Sequence, residues 1–253
     1  MAEFTTSSIA SLILLAACEP NCHRWSVRFT LATLGSRGEG DPLIALGLQL
    51  QHRGHEVLFV AMEEHQSQAC AFGIRIHPVQ GNLKASLQSP ENRDVWAGKR
   101  DAVAKWNESF FLPAFRRLLD AIWEQSQSAD VLILGSGLIP AQRAGEILNI
   151  PTFIACCFPG LSPTRYFPHL MGPQWKLGPR FNRLSYLFNR LYPISEHKVI
   201  ADWYRGTLGV SPPRRYQSFL NSNGRRLPIL YCYSELLFPS PSDWDDSVCV
   251  AGY

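Results

Sequence analysis

From Val27 onward, short runs of β-branched and apolar residues alternate with longer segments whose apolar positions recur at helical spacing. That alternation predicts parallel strands connected by helices, an α/β fold. Strands are expected at residues 27–33, 56–61 and 74–79, with helices at 42–51 and 63–72 between them. Each predicted strand is short and apolar, as strands covered on both faces are. Residues 90–127 put Trp106, Phe110, Phe111, Phe115, Leu118, Leu119 and Ile122 largely on one helical stripe, which Pro113 either kinks or divides by opening a new helix. A fourth strand follows at 131–134, a helix at 138–148 and a fifth strand at 152–156. Right-handed crossovers would place all five strands in one Rossmann-like parallel sheet flanked by helices.

After Cys157 the texture changes to a loop rich in proline, glycine and aromatic residues that runs to Pro179. A loop of that length within a compact domain is more often functional than idle. Helices are expected at 181–191 and 195–208, a turn-rich stretch at 209–227 and a strand at 229–233, before the closing Val248-Cys249-Val250-Ala251-Gly252-Tyr253. A strand with its turn at the very end is an unusual way to close a domain, since it leaves an edge to be covered. The expectation is one domain over residues 27–253, cut at a boundary beyond which a second domain would lie.

Composition narrows the classes of function. Of 253 residues, 46% are hydrophobic and 18% charged, enough apolar side chain for a sizeable core. The formal charge of +3, with no like-charge run beyond pairs such as Arg116-Arg117, Arg214-Arg215 and Arg225-Arg226, argues against nucleic acid as the main partner. The seven cysteines include no C-x-x-C pair, which argues against a disulfide framework or a zinc site. Cys156 and Cys157 lie in an apolar run and read as buried free thiols of a reducing compartment, so a cytoplasmic location is expected, peripheral at a membrane at most. The apolar run from Ile9 ends in Leu15-Ala16-Ala17-Cys18, which looks like a lipoprotein cleavage box, but Glu3 stands where a signal peptide carries positive charge. Residues 1–26 are therefore expected to be an extension outside the fold, and no other segment reaches the length of a membrane span.

Candidate chemistry concentrates between the first strand and the first helix, in Leu34-Gly35-Ser36-Arg37-Gly38-Glu39-Gly40-Asp41-Pro42. In an open parallel sheet this is the loop at a strand's carboxyl end, where ligands bind near the topological switch point. The glycine order is neither the dinucleotide fingerprint G-x-G-x-x-G nor a phosphate loop ending in G-K-[ST]. Asp41 before Pro42 reads as a helix N-cap followed by proline at the first helical position. Two readings stand for Glu39: a catalytic carboxylate, or a charge that complements the helix dipole.

Four stretches in order make the chain, from about Val27 to Tyr253, resemble the amino-terminal domain of GT-B glycosyltransferases, the group of sterol 3-beta-glucosyltransferases and glycopeptide-antibiotic glycosyltransferases. They are Thr33-Leu34-Gly35-Ser36-Arg37-Gly38, the run Pro42-Leu43-Ile44-Ala45-Leu46-Gly47-Leu48 leading to Arg53-Gly54-His55-Glu56-Val57, the loop Ser162-Pro163-Thr164-Arg165-Tyr166-Phe167-Pro168, and Pro239-Ser240-Pro241-Ser242-Asp243-Trp244 with Val250-Ala251-Gly252-Tyr253. The resemblance implies inverting, metal-independent hexosyl transfer from a UDP-sugar, usually UDP-glucose, to a hydroxyl of a sterol, lipid or other apolar acceptor. It implies that a base takes the acceptor's proton, that this base is an aspartate in the usual G-S-R-G-D motif, and that Glu39 occupies its position. Plant members of the wider superfamily use a His supported by an Asp after the fourth strand; Gly135 and Ser136 stand there in this chain.

The remaining candidates concern the acceptor. Ser36, Arg37 and Gly38 would shape the loop around Glu39, and Ser136 either bonds a ligand or serves a strand-end turn. Trp106, Phe110 and Phe111 either line an apolar pocket or pack in the core. The stronger acceptor wall is residues 158–169, with Phe158, Thr164, Tyr166, Phe167 and His169. Nucleotide binding is expected mainly in a carboxyl-terminal domain, where a helix N-terminus would face the diphosphate, leaving this chain inactive alone. The alternatives are an apolar-ligand-binding module without catalysis and a truncated gene fragment.

Overall fold

The computed structural model describes residues 26–172, 174–187, 196–213, 220–222 and 224–252. Residues 1–25, and with them nearly all of the expected extension, lie outside the described residues, as do parts of the helices expected at 181–191 and 195–208 and of the turn-rich stretch after them. The elements run β1 (Arg28–Thr33), α1 (Arg37–His52), β2 (Glu56–Met62), a 3-10 turn (Glu63–His65), α2 (Gln66–Ala71) and β3 (Arg75–Val79). Then come α3 (Leu83–Gln88), α4 (Arg93–Trp96), α5 (Arg100–Trp106), a π-helical turn (Asn107–Phe111) and α6 (Leu112–Ser126). β4 (Val131–Gly135) leads through a 3-10 turn (Ser136–Ala141) into α7 (Gln142–Leu148) and β5 (Thr152–Cys156). The rest comprises α8 (Pro179–Ser185), α9 (His197–Gly206), the two-residue strands β6 (Asn221–Ser222) and β7 (Arg225–Arg226), β8 (Ile229–Tyr231) and β9 (Val248–Val250).

Seven strands form one sheet in the order β3-β2-β1-β4-β5-β8-β9, and every neighbouring pair is parallel. The expected α/β Rossmann-like class is thus the observed one. Alternate residues along each strand serve opposite faces. Ala32, Val60, Leu132, Leu134, Ile154 and Tyr231 face one core, packed with Phe115, Leu118 and Ile122 of α6 and Ile200 and Trp203 of α9. Leu31, Phe59, Ala61, Ile133 and Phe153 face the other, packed with Leu43, Ile44 and Leu50 of α1 and Ala69 of α2. Burying both faces explains why the strands read as continuous apolar runs.

Two expectations needed correction, and one open alternative was decided. Helix α1 begins at Arg37, not Pro42, so Ser36 is the N-cap and Asp41 lies inside the helix. Of the two readings for the 90–127 stripe, Pro113 opens a new helix: it sits in the first turn of α6, after three short helical pieces and a π turn. Cys156 is buried as expected, but Cys157 is only half-buried; both are free.

Chain order reverses at β1, which has β2 on one side and β4 on the other. The opposite, amino ends of β1 and β4 are fastened by Arg28 and Asp130. The Arg28 amide and Nε donate to Asp130 Oδ2 at 2.9 and 3.1 Å, Nη2 donates to Oδ1 at 2.9 Å, and the Asp130 amide returns a bond to the Arg28 carbonyl at 2.8 Å. The side-chain bond from Arg28 holds the Asp130 carboxyl below its ordinary value. Both side chains are well exposed, so water screens the pair and its contribution is small. Because the folded value is depressed, this stability is present above the unfolded carboxylate's range and is lost as pH falls through the folded value. Urea unfolding between pH 5 and pH 3, roughly the span that brackets the ordinary aspartate value, is therefore expected to show a smaller acid loss in Asp130→Asn than in the parent.

Candidate active site at the carboxyl ends of β1 and β4

Strand β1 ends at Thr33 and β4 at Gly135, side by side, and the turns that follow bring the glycine loop against Ser136. Glu39, in the first turn of α1, reaches back into this junction. Its Oε2 accepts from Thr33 Oγ1 at 2.7 Å and from the Gly35 amide at 3.1 Å, while Oε1 accepts from Ser136 Oγ at 2.7 Å. An ionised carboxylate offers roughly four acceptor sites. Among the described residues three are filled, and the remaining one is on Oε1 beside Ser136.

Glycines make room for this side chain. A Cβ at Gly35 would lie 2.4 Å from Glu39 Oε2, and one at Gly135 would lie 2.9 Å from its carboxyl carbon. The carboxylate therefore occupies a niche that no larger residue at either position would leave open.

The other wall of the loop is His65, which the sequence reading did not single out. Its ring is buried, stands edge-on to Phe59 and places Nε2 2.9 Å from the Gly35 carbonyl. It fits because residue 40 is glycine: a Cβ there would lie 2.4 Å from His65 Cε1. The third glycine of the loop was the available signal, for it serves histidine packing and not ligand approach.

Pro42 within α1 has no N–H for the carbonyl four residues earlier, that of Gly38. The Cys157 thiol, just past β5, donates to the Gly38 carbonyl at 3.1 Å. Burial pushes the Cys157 thiol up to about 11, so at neutral pH it keeps the proton it donates. Asp41, freed from capping, pairs with Arg37 at 3.3 Å and accepts from Gln68 Nε2 at 2.8 Å, tying α1 to α2.

The sequence-predicted residues fall into two groups. Glu39, Gly38 and Ser136 meet at the strand ends, with Phe158 next along the chain from Cys157. Ser36 and Arg37 are exposed on the α2 side of the loop, where with Glu64, His65, Phe72 and Lys84 they help line a cleft of about 620 Å³ that Glu39 does not line. Thr164, Tyr166, Phe167 and His169 form the second group. Thr164 is buried and donates to Asp243 Oδ1 at 2.6 Å; Tyr166 is exposed and shares a bond with Ser242. Phe167 packs on Phe238 and Trp244, and His169 is buried edge-on against Tyr186 with Nδ1 accepting from the Met171 amide. Trp106, Phe110 and Phe111 are a half-buried ring stack leading to the buried Phe115, with centroids 5.6–6.0 Å apart. Among the described residues no group of three or more His, Cys, Asp or Glu side chains converges on a metal position.

A seven-stranded parallel sheet with a glycine loop and carboxylate at its switch point is the architecture of a GT-B amino-terminal domain. Residues 29–155 match the glycosyltransferase family 28 N-terminal domain, and the chain belongs to that family. It is 31% identical over 229 residues to a sterol 3-beta-glucosyltransferase of Yarrowia lipolytica, covering 89% of this chain and 15% of the relative. It is 29% identical over 238 residues to the UDP-sugar-dependent glycosyltransferase 52 of Dictyostelium discoideum, covering 90% of this chain and 13% of that protein. The chain thus spans less than a fifth of the length of these curated relatives. Among solved structures, the calicheamicin glycosyltransferase CalG4 superposes with a TM-score of 0.58 at 14% identity, over 90% of this chain and 53% of that one, which speaks for the fold alone.

The His65–Gly40 contact is testable. Gly40→Ala is expected to cost about 1–3 kcal/mol through overpacking. Combined with His65→Ala, the pair is expected to cost less than the two single changes summed, read from urea unfolding in a double-mutant cycle.

Proposed function

We propose that the protein transfers a hexosyl group from a UDP-sugar, UDP-glucose in the simplest case, to the hydroxyl of a sterol or similarly apolar acceptor, with inversion and without a metal. In this reading the chain supplies the acceptor side and the base, and a second α/β domain holds the nucleotide, so the chain alone is inactive. The setting is the cytoplasm or the cytoplasmic surface of a membrane. The names of the relatives support the donor and acceptor classes, and the acceptor position on Glu39 Oε1 that no described residue fills supports the chemistry.

An acceptor hydroxyl placed at that position donates its hydrogen bond to Glu39. As its oxygen attacks the anomeric carbon, the proton passes to the carboxylate and the bond from that carbon to the diphosphate breaks. Thr33, Gly35 and Ser136 fix the carboxylate while this happens, so orientation is established before the acceptor arrives. Phe158 and the loop carrying Tyr166 and Phe167 form the wall for the acceptor's apolar body.

The decisive assay joins the chain to a donor domain of the same family and follows transfer from UDP-glucose to a sterol. Glu39→Gln is expected to lower kcat by about 100-fold or more with KM little changed, the usual scale for losing a general base. Turnover equal to the parent's would remove Glu39 from the chemistry. Sterol binding by the chain, with no transfer by the joined parent protein, would instead favour a binding module.

A further inference from the structure

Helix α1 starts without the side-chain fastening that a serine N-cap usually supplies. Ser36 makes no capping bond through its hydroxyl, while its carbonyl accepts from the Glu39 and Gly40 amides at 3.0 Å each. The direction in which Glu39 leaves this first turn therefore depends on how the peptide between Gly35 and Ser36 is turned, because that planar unit carries both the Gly35 carbonyl and the Ser36 nitrogen.

The Gly35 carbonyl is where that peptide is held. His65 Nε2 lies 2.9 Å from it. A carbonyl oxygen only accepts, so Nε2 carries the proton, in the neutral ring and the charged ring alike. The ring itself is fixed from outside the loop. It ends the 3-10 turn that follows β2, is 1% exposed, and stands edge-on to Phe59 of β2 with centroids 6.0 Å apart. Strand β2 is paired with β1 as far as Thr33, opposite Ala61, so the ring is referenced to the sheet. On the side of α1 the ring fills the space left by Gly40, where a Cβ would lie 2.4 Å from Cε1 and 2.8 Å from Nδ1. One buried ring thus spans the loop, bonded at Gly35 and packed at Gly40, with Glu39 between them.

The amide of the same Gly35 donates to Glu39 Oε2 and to Thr33 Oγ1, both at 3.1 Å. Gly35 is held on its carbonyl side by His65 and on its amide side by the carboxylate it helps to orient. We infer that His65 is a positioning residue for Glu39: through the Gly35 peptide it sets where the unfilled acceptor position on Oε1 points. The inference deepens the base reading of Glu39 and rests on it. Among the described residues no hydrogen bond joins His65 to Glu39, so the effect passes through the backbone. A carboxylate displaced by about 1 Å loses roughly a hundredfold in rate, so a bond that only fixes a loop is large enough to matter.

The test pairs kinetics of the chain joined to a donor domain with amide exchange in the chain itself. His65→Leu removes the donor and is expected to lower kcat by roughly tenfold or more, with both KM values little changed. It is expected to speed exchange of the Gly35 amide by about tenfold while the Phe59 amide in β2 keeps its rate. His65→Gln, whose side-chain amide can donate to the same carbonyl, is expected to recover most of both. Adding Glu39→Gln to His65→Leu is expected to lower kcat no further than Glu39→Gln alone, since residues acting as a unit are not additive. Should the urea midpoint show that His65→Leu is unfolded, His65→Phe replaces it, keeping a ring against Phe59 without a donor. Parent-like kcat or parent-like Gly35 exchange in the variant without the donor, no recovery in His65→Gln, or additive losses in the double variant would overturn the assignment. Parent-like turnover in Glu39→Gln would instead remove the base reading, and the exchange arm then decides alone whether His65 holds the loop, an unchanged Gly35 rate overturning that as well.

Discussion

Glu39 joins the ends of two adjacent strands by three hydrogen bonds, and the carboxyl edge of the sheet is arranged around that carboxylate. Thr33 closes β1, Gly35 opens the loop, and Ser136 follows β4, so the acceptor atoms of one side chain gather donors from its own loop and from a residue 97 positions away in sequence. Hydrogen bonds to a charged group stabilise by about 1.5–3 kcal/mol each, more than neutral ones. Their cost is constraint: the side chain has to fold back over its own loop, and the loop has to leave space for it. Gly35 and Gly135 supply that space, and they accommodate a glutamate, one methylene longer than the aspartate that the family resemblance leads one to expect there.

The remaining loop features compensate for the helix start. Placing the first turn of α1 at Arg37 brings Glu39 close enough to reach back, but it draws Pro42 inside the helix, where it removes a backbone donor. The Cys157 thiol replaces that donor at the Gly38 carbonyl. Placing Gly40 in the same turn opens room for His65, whose ring nitrogen meets the Gly35 carbonyl. One proline and one glycine thus account for two distant side chains, from the turn after β2 and from the end of β5, converging on the same five-residue stretch.

This convergence marks the boundary of what the sequence made legible. Strand positions, their parallel sense and the loop at a strand's carboxyl end follow from local periodicity and turn chemistry, and these were readable. The helix start was misread because Asp41-Pro42 is a strong local capping signal. It lost to the tertiary bonds that Glu39 makes only when the turn before Pro42 is already helical. His65 was invisible for a similar reason: its role is fixed by a glycine 25 positions earlier and a carbonyl 30 positions earlier. The stripe from 90 to 127 kept helical spacing overall, but the π turn at Asn107–Phe111 shifts its phase before Pro113. That shift turns Trp106, Phe110 and Phe111 into a half-buried stack, where strict periodicity would have buried them with Phe115.

The two halves of the candidate site also differ in what holds them. Thr33, Gly35, Glu39, His65 and Ser136 all lie within the stretch shared with the family, residues 29–155. The loop from Phe158 to His169 lies beyond it and is fastened by residues far later in the chain. The Tyr231 hydroxyl accepts the amides of Leu161 and Ser162 at 3.2 and 2.9 Å and donates to Ser162 Oγ at 3.0 Å. Trp244 stacks on Tyr231 and donates to the Ser162 carbonyl, and Asp243 takes the Thr164 hydroxyl and the Arg165 amide. Burial pushes the Tyr231 phenol upward, so it remains a donor throughout the physiological range. Strands β8 and β9 therefore do more than widen the sheet: the segment between them anchors the wall. If the carboxylate junction carries the common chemistry, then acceptor choice falls to this wall, whose sequence can vary at exposed positions such as Tyr166 without disturbing the junction, because the bonds that fix its path run through Ser162, Thr164 and the backbone.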